Sequence, residues 1–390
     1  MIAEPAVMFR DRRTLDLSYV PEELPCREQE RKQLLESLLP AAAGEHSRQV
    51  VISGEYGVGK TALAKRVGRD LASIARENRY KFRYIHVNCR HKSPLIVLAD
   101  IVWKSFGRRI PTRGCSLEEL LQHFRYSVIE EGVSLLIALD EADSFWYYGR
   151  DGEVLLYNLV RFSDDSLDSD LPSLSLMLVC RLDFLLKETL HGDTLALLRD
   201  QVYLRKYTLE QLREITEYRA SKALYREAYD GEIIDLIARV AEPFGSARVA
   251  IQALRLAAEK AAADGLPRIY PEYVREAAES VCPRDGWGIS ELTTEQATIL
   301  LAVASLLKSR EKPYVKTGDV WSQYNTMCKV MGVRRVSYSQ FLRELQYLEK
   351  CRYIVAKRGG SRGNTMVIDL DGVPAERLAK DLEELLLRAR

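Results

Sequence analysis

Apolar and polar positions follow three successive rhythms along this 390-residue chain. From Gln49 to about Leu204, short apolar runs alternate with amphipathic stretches. Strand-like runs occupy 50–52, 84–87, 135–139 and 174–179, and helical spacing fills 61–76, 95–106, 117–129 and 154–162. Leu135-Leu136-Ile137-Ala138-Leu139 is apolar at every position, which predicts a strand buried on both faces. The alternation predicts a mostly parallel sheet between helical layers, with ligands at the carboxyl ends of the strands. From Thr208 to Val281 the pattern is wholly helical, at 209–226, 232–240, 247–263 and 273–281, punctuated by Gly245, Gly265 and Pro271. Beyond a linker at 282–290, helical spacing at 295–307, 318–330 and 337–350 precedes a hairpin pattern at 353–357 and 366–370. Three helices and a hairpin make the winged-helix layout, a helix-turn-helix variant. The predicted organisation is an N-terminal strap at 1–48, an α/β base at 49–206, a helical lid at 207–282 and an α+β winged helix at 291–390. The strap's segment before the first strand reads equally well as a plain tie or as one wall of a ligand pocket.

Composition changes this picture in one place. The net charge is +1, so total charge announces no polyanionic partner. Between Ala302 and Met366, however, thirteen lysines and arginines face four acidic residues. That basic piece points to duplex DNA. Arg334, Arg335, Tyr338, Ser339, Gln340 and Arg343 would serve at the third helix, and Lys357, Arg358 and Arg362 at the wing. A winged helix used only for protein contacts is the alternative. The seven cysteines are scattered and never spaced C-x-x-C, as expected for reduced thiols in the cytoplasm. No apolar run approaches a membrane span, and the first residues lack a basic-then-apolar leader pattern.

The chemistry concentrates on Gly54-Glu55-Tyr56-Gly57-Val58-Gly59-Lys60-Thr61. This is G-x-x-x-x-G-K-[ST] between a strand and a helix, the context a phosphate-binding loop requires. Glycines let backbone N–H groups close around phosphate oxygens, and the helix N-terminus adds more donors. Gly57 to Ala62 would hold ATP or ADP, with Lys60 on phosphate and the Thr61 hydroxyl on Mg²⁺. The third strand ends in Asp140-Glu141. Asp140 would hold Mg²⁺ or its waters, and Glu141 would polarise a water against the terminal phosphate. Asp143 reads as a helix cap or solvated loop residue. Arg181, after the fourth strand, stands nearest the place of a water-orienting residue. Arg248, opening a lid helix, could fold over the phosphates or be an ordinary surface arginine.

Taken together, these stretches resemble the AAA+ replication initiators of the archaeal origin-recognition type, related to eukaryotic origin-recognition and helicase-loading subunits. The resemblance runs from about Tyr19 to the C-terminus. It is carried by Val20-Pro21-Glu22-Glu23-Leu24-Pro25-Cys26-Arg27-Glu28, the phosphate loop, His86-Val87-Asn88-Cys89-Arg90, Asp140-Glu141, Tyr207-Thr208-Leu209-Glu210-Gln211-Leu212 and Gly245-Ser246-Ala247-Arg248. It implies an ATP-regulated initiator that binds origin duplex DNA alongside other protomers and helps recruit or load the replicative helicase, associated with the nucleoid. It makes Arg248 the lid's sensor arginine, and Tyr207, Arg219, Val20 and Pro21 the lining of the nucleotide site. It implies a second DNA contact after the second strand, where Lys104, Arg108 and Arg109 cluster; a solvated helix end explains that cluster equally well. Two departures stand out. Arg181 replaces the family's usual Asn, and Arg199 falls too late for the family's finger arginine, so a weak Mg-dependent ATPase is expected. A winged-helix P-loop signalling ATPase and an ATP-gated transcription regulator are the alternatives.

Overall fold

The computed structural model describes residues 8–110, 112, 114–162, 172–181, 187, 190–198, 200–281, 289, 292–308, 314–351, 353–358, 366–370 and 375–388. They fall into two compact units, Met1–Val281 and Cys282–Arg390.

In the first unit the chain runs α1 (Glu28–Ala42), β1 (Gln49–Gly54), α2 (Lys60–Glu77), β2 (Phe82–Asn88), α3 (Pro94–Phe106), α4 (Leu117–Glu131) and β3 (Ser134–Asp140). It continues through α5 (Arg150–Val160), β4 (Leu174–Cys180), a single turn α6 (Gly192–Leu195) and β5 (Asp200–Leu204). The five strands are parallel in the order β2-β3-β4-β1-β5. The three central strands are buried at every residue, which is why they read as dominantly apolar, with buried polar residues such as Ser175 within them. Successive side chains point to opposite faces. Val50, Ile52, Leu136 and Ala138 therefore join the core beneath α1 and α2. Val51, Leu135, Ile137 and Leu139 join the core beneath α3, α4 and α5. The sequence predicted four strands, and β5 is the one it missed. At this sheet edge Asp200, Gln201 and Tyr203 are exposed and only Val202 and Leu204 are buried, so no apolar run forms.

The lid follows as α7 (Leu209–Ala223), α8 (Gly231–Ala241), α9 (Ala247–Ala263) and α10 (Pro271–Val281). Its apolar faces share one core with α1, α2 and their side of the sheet. A reciprocal Thr208–Gln211 capping box starts α7. Helical spacing predicts that helix through residue 226, but it stops at Ala223. There the strap intervenes: Arg10 N donates to Ala223 O at 2.8 Å, and Phe9 bridges Leu224 in extended geometry. A 3-10 turn, Arg12–Leu15, then lays Leu15 into the lid core.

The second unit contains α11 (Thr294–Lys308), β6 (Val315–Lys316), α12 (Thr317–Met331), α13 (Tyr338–Lys350), β7 (Ile354–Arg358), β8 (Met366–Leu370) and α14 (Ala375–Arg388). Its sheet is antiparallel in the order β6-β8-β7. The three helices and the hairpin are the predicted winged helix. The sequence reading did not include β6, which is two residues long, or α14, whose Leu378, Leu382 and Leu386 complete the core.

Candidate functional site

The phosphate loop is built by glycine conformations. Gly57 and Gly59 have φ of 75° and 93°, the left-handed region that L side chains resist. Gly59 caps α2 without a side chain, leaving the first-turn N–H groups of Lys60, Thr61 and Ala62 directed at the loop. Lys60 Nζ donates to Gly54 O at 2.8 Å and Glu55 O at 2.6 Å. Thr61 Oγ1 donates to Asp140 Oδ2 at 2.8 Å. His86 Nε2 stands 3.3 Å from the same carboxylate oxygen. Asp140 is buried at the tip of β3. Burial pushes its carboxyl pKa up, but the contacts with His86 and Thr61 outweigh burial and hold it below the usual carboxylate range.

Glu141 takes a left-handed conformation, φ 56°. Its carboxylate accepts from Asn88 Nδ2 at 3.3 Å and lies 3.6 Å from Arg90 Nε. Asn88 is the last residue of β2 and sits level with Asp140 in the sheet register. Neither Asn88 nor Arg90 carries a role in the sequence reading, although the stretch containing them did mark the resemblance. Asp143 corrects an expectation. It is neither a cap nor solvated but buried, with its pKa raised by burial and drawn down by the neighbouring Arg181. A charge under a strand tip is invisible to hydropathy, because a polar letter after a strand reads as loop.

The lid presses directly on the loop. A Cβ at Gly57 would run into Ser246 Oγ and come within 3.3 Å of Arg248 Cβ. The Arg248 guanidinium carbon lies 4.7 Å from the Tyr56 ring centroid. Tyr207 is buried, and its hydroxyl would stand 3.0 Å from a Cβ on Gly59. Arg219 is 4% exposed, its guanidinium 5.0 Å from the Tyr19 ring centroid, and its Nε and Nη1 have no hydrogen-bond partner among the described residues. Burial also lowers its pKa. Pro21 is buried and Val20 half-buried just beyond Tyr19. Loop, strand tip and lid thus bring Gly57–Ala62, Asp140, Glu141, Tyr207 and Arg248 together in the first unit, while Arg219 packs against Tyr19 of the strap.

The three base cations behave differently from one another. Lys104 Nζ donates to His86 O at 2.7 Å. Arg108 bridges Glu130 and Glu131 at 2.8 and 3.2 Å. Arg109 makes no ion pair among the described residues and lies 5.0 Å from the Trp103 ring centroid.

In the second unit Arg334, Arg335, Tyr338, Ser339 and Arg343 are exposed, with Gln340 half-buried among them. They occupy the turn between α12 and α13 and the first turns of α13. Ser337 Oγ accepts from Gln340 N at 3.3 Å and caps the helix, and the Ser339 hydroxyl pairs with that of Ser337. Tyr324, fully buried, accepts from Val336 N at 3.2 Å and holds the turn. Lys357 and Arg358 lie on β7, while their side chains and Arg362 fall outside the described residues.

A parallel sheet in this strand order, a glycine-built phosphate loop, an Asp-Glu strand tip and a helical lid on the loop define an AAA+ module, joined here to a winged helix. Family models agree piece by piece: an AAA domain matches residues 43–186, a Cdc6 AAA+ ATPase-type lid 213–279, and a CDC6 C-terminal winged helix 288–379. An ORC1-type DNA replication protein 1 of Sulfurisphaera tokodaii is 31% identical over 97% of this chain and 93% of its own length. The chain belongs to the ORC1-type (Orc1/Cdc6) family of DNA replication initiators. Among solved structures, the Aeropyrum pernix ORC1 protein in complex with DNA is similar at TM-score 0.71 and 27% identity, covering 98% of this chain and 99% of that one. The ADP form of Aeropyrum pernix ORC2 follows at TM-score 0.63 and 25% identity, over 98% and 99%. Among the described residues, no helix is long and apolar enough to cross a membrane.

Proposed function

We propose that this chain is an ATP-regulated initiator that binds origin duplex DNA through its winged helix, acts there with other protomers, and helps recruit or load the replicative helicase. Its place of work is then the cytoplasm, on the nucleoid. The observation that carries the reading is the pairing of two faces on one chain: a lid seated on a phosphate loop, and an exposed cationic turn opening a recognition helix.

The loop fits a nucleotide on its own geometry. Its glycines hold left-handed conformations that keep side chains out of the loop, and the lid's Arg219, beside Tyr19, would offer two unpaired buried donors to a base. Oxygen donors from Thr61 and Asp140, 2.8 Å apart, suit Mg²⁺, which supplies charge neutralisation at the phosphates. Backbone N–H groups of Gly57 to Ala62 bind phosphate, and Lys60 swings from its carbonyls to the same oxygens. Tyr207, Val20 and Pro21 enclose the base. Arg248 closes the lid on the phosphates. Glu141 orients water once released from Asn88 and Arg90; that restraint, with Arg181 near Asp143, makes hydrolysis slow. The Aeropyrum ORC2 ADP form supports the nucleotide half, and the Aeropyrum ORC1 complex supports the DNA half.

In the DNA complex, Arg334, Arg335 and Arg343 contact phosphate or guanine, Gln340 and Ser339 contact base edges, and Tyr338 flanks them. Lys357, Arg358 and Arg362 add wing contacts. In the base, Arg109 is the better-placed second contact, since Lys104 and Arg108 already serve internal partners. Fluorescence anisotropy with a duplex from the organism's own origin and an unrelated duplex, each with ATP and ADP, tests this. Equal affinity for both duplexes in both nucleotide states would refute the initiator reading.

A further inference from the structure

We infer that Arg27 is a positioning residue of the nucleotide site: its guanidinium ties the phosphate loop to the joint between base and lid. The inference rests on the nucleotide reading above and concerns a residue that does not itself touch nucleotide.

Arg27 precedes α1 and is 4% exposed. Nη2 and Nε donate to Val58 O at 3.3 and 3.4 Å. Nη2 also donates to Arg205 O at 2.6 Å, and Nε to the Tyr207 hydroxyl at 3.0 Å. Nη1 pairs with Glu30 Oε1 at 2.9 Å. The guanidinium carbon lies 4.1 Å from the Tyr207 ring centroid. Each partner belongs to a different part. Val58 is inside the phosphate loop. Arg205 follows the last residue of β5. Tyr207 opens the lid, and its own N–H donates to Gly245 O at 3.0 Å, just ahead of Ser246 and Arg248.

The contact with Val58 has a direct geometric effect. A trans peptide is planar, so the carbonyl of Val58 and the N–H of Gly59 point in opposite directions. Drawing that carbonyl toward Arg27 turns the Gly59 N–H away from Arg27, toward the loop's interior. Gly59 needs its left-handed φ of 93° to follow. The same planar group fixes the chain at Arg205 and Tyr207, where the lid leaves the sheet. Movement of the loop is therefore transmitted to the lid's first residue through one rigid group. A lysine cannot substitute, because an ammonium lacks the five-donor fork that meets separate acceptors in one plane. The sequence signalled this residue only through the Cys26-Arg27-Glu28 stretch, which carries no phosphate or metal chemistry of its own.

Peptide-resolved hydrogen exchange on the full-length chain, with and without ADP and paired with ADP titration, tests the inference. In the wild type, residues 27–31, 57–62 and 205–208 should gain protection together on binding ADP. Arg27→Lys should weaken ADP binding about 10- to 100-fold, the loss expected for charged hydrogen bonds. At saturating ADP this variant should regain protection at 57–62 but not at 205–208. Combined with Tyr207→Phe, the two losses in affinity should be less than additive. A purely structural arginine would instead lower the melting temperature with and without ADP alike and leave the exchange pattern intact; that result overturns the inference. So does wild-type protection confined to 57–62, which needs no variant to fold. Failure of the wild-type chain to bind ADP would overturn the nucleotide reading itself, and this inference with it.

Discussion

Replacing Gly57 by alanine isolates how hard the lid bears on the phosphate loop. Two costs are separable. Alanine at φ 75° must adopt a left-handed conformation, which costs about 1–2 kcal/mol. Its Cβ would also meet Ser246 Oγ, approach Ser246 Cβ to 3.0 Å and approach Arg248 Cβ to 3.3 Å. Ser246 is buried and caps α9 by accepting from Val249 N at 3.4 Å. Displacing that cap costs about 0.5–2 kcal/mol. The total is about 1.5–4 kcal/mol. Gly107 supplies the control: its φ is 68°, yet nothing lies within 4 Å of its Cβ position. Denaturant unfolding of both variants should show Gly57→Ala losing about 0.5–2 kcal/mol more than Gly107→Ala. Ser246→Gly should remove most of that excess, since glycine at a cap costs only a few tenths of a kcal/mol. Equal losses from the two glycines would show that the lid does not rest on the loop, and the site geometry described above would be wrong.

Lys60→Ala should abolish nucleotide binding by calorimetry, and Glu141→Gln should retain it while stopping hydrolysis; ATP affinity unchanged in Lys60→Ala would sink the assignment of the loop. Truncation after Val281 should remove most DNA binding but leave ATP binding, and Arg358→Ala with Arg362→Ala should flatten the salt dependence of DNA affinity by at most roughly two counterions. Glu344 is buried, which raises its carboxyl pKa against the lowering by Gln296 and Gln340, so the native winged helix keeps its proton to higher pH than the unfolded chain does. Its stability should fall as pH rises from the ordinary glutamate range through the raised value and then level off, and Glu344→Gln should flatten that slope in thermal melts from pH 4 to 8.

Legibility in the sequence followed the range of the interaction. The central strands were readable because burial on both faces makes apolar residues dominate them, to the extreme of 135–139, despite a buried Ser175 in β4. Phosphate-loop spacing was readable because glycine conformation and helix start are local. Edge strand β5 was not, since a half-exposed strand of five residues leaves only Val202 and Leu204 as signal. The early end of α7 was hidden because its cause, Phe9 and Arg10, lies more than two hundred residues upstream. Asp143, Asn88 and Arg27 share that difficulty. Each owes its setting to partners brought in by the fold, and a polar residue near a strand end carries no mark of whether it will be buried.

Charge shows the same division from the other side. The net charge of +1 conceals an unequal distribution of partners. In the first unit many basic groups are already answered: Arg31 and Arg66 share Asp70, Arg255 spans Asp16 and Glu259, and Arg108 spans Glu130 and Glu131. A guanidinium held between carboxylates has little net charge left to neutralise a phosphate and so releases few of the cations condensed on DNA. In the second unit Arg334, Arg335 and Arg343 are exposed and make no ion pair among the described residues. Tyr324 and Ser337 hold the backbone that carries them, and Trp321 and Phe341 pack beneath Tyr338 with ring centroids 5.1 and 6.0 Å away. Cations without ion pairs among the described residues, on a backbone held by buried Tyr324 and Phe341, suit the duplex proposed above as their partner. The count of basic residues pointed to this surface; in the base cluster Arg108 is held by Glu130 and Glu131 and Lys104 by the His86 carbonyl, which leaves Arg109 as the comparable cation there among the described residues.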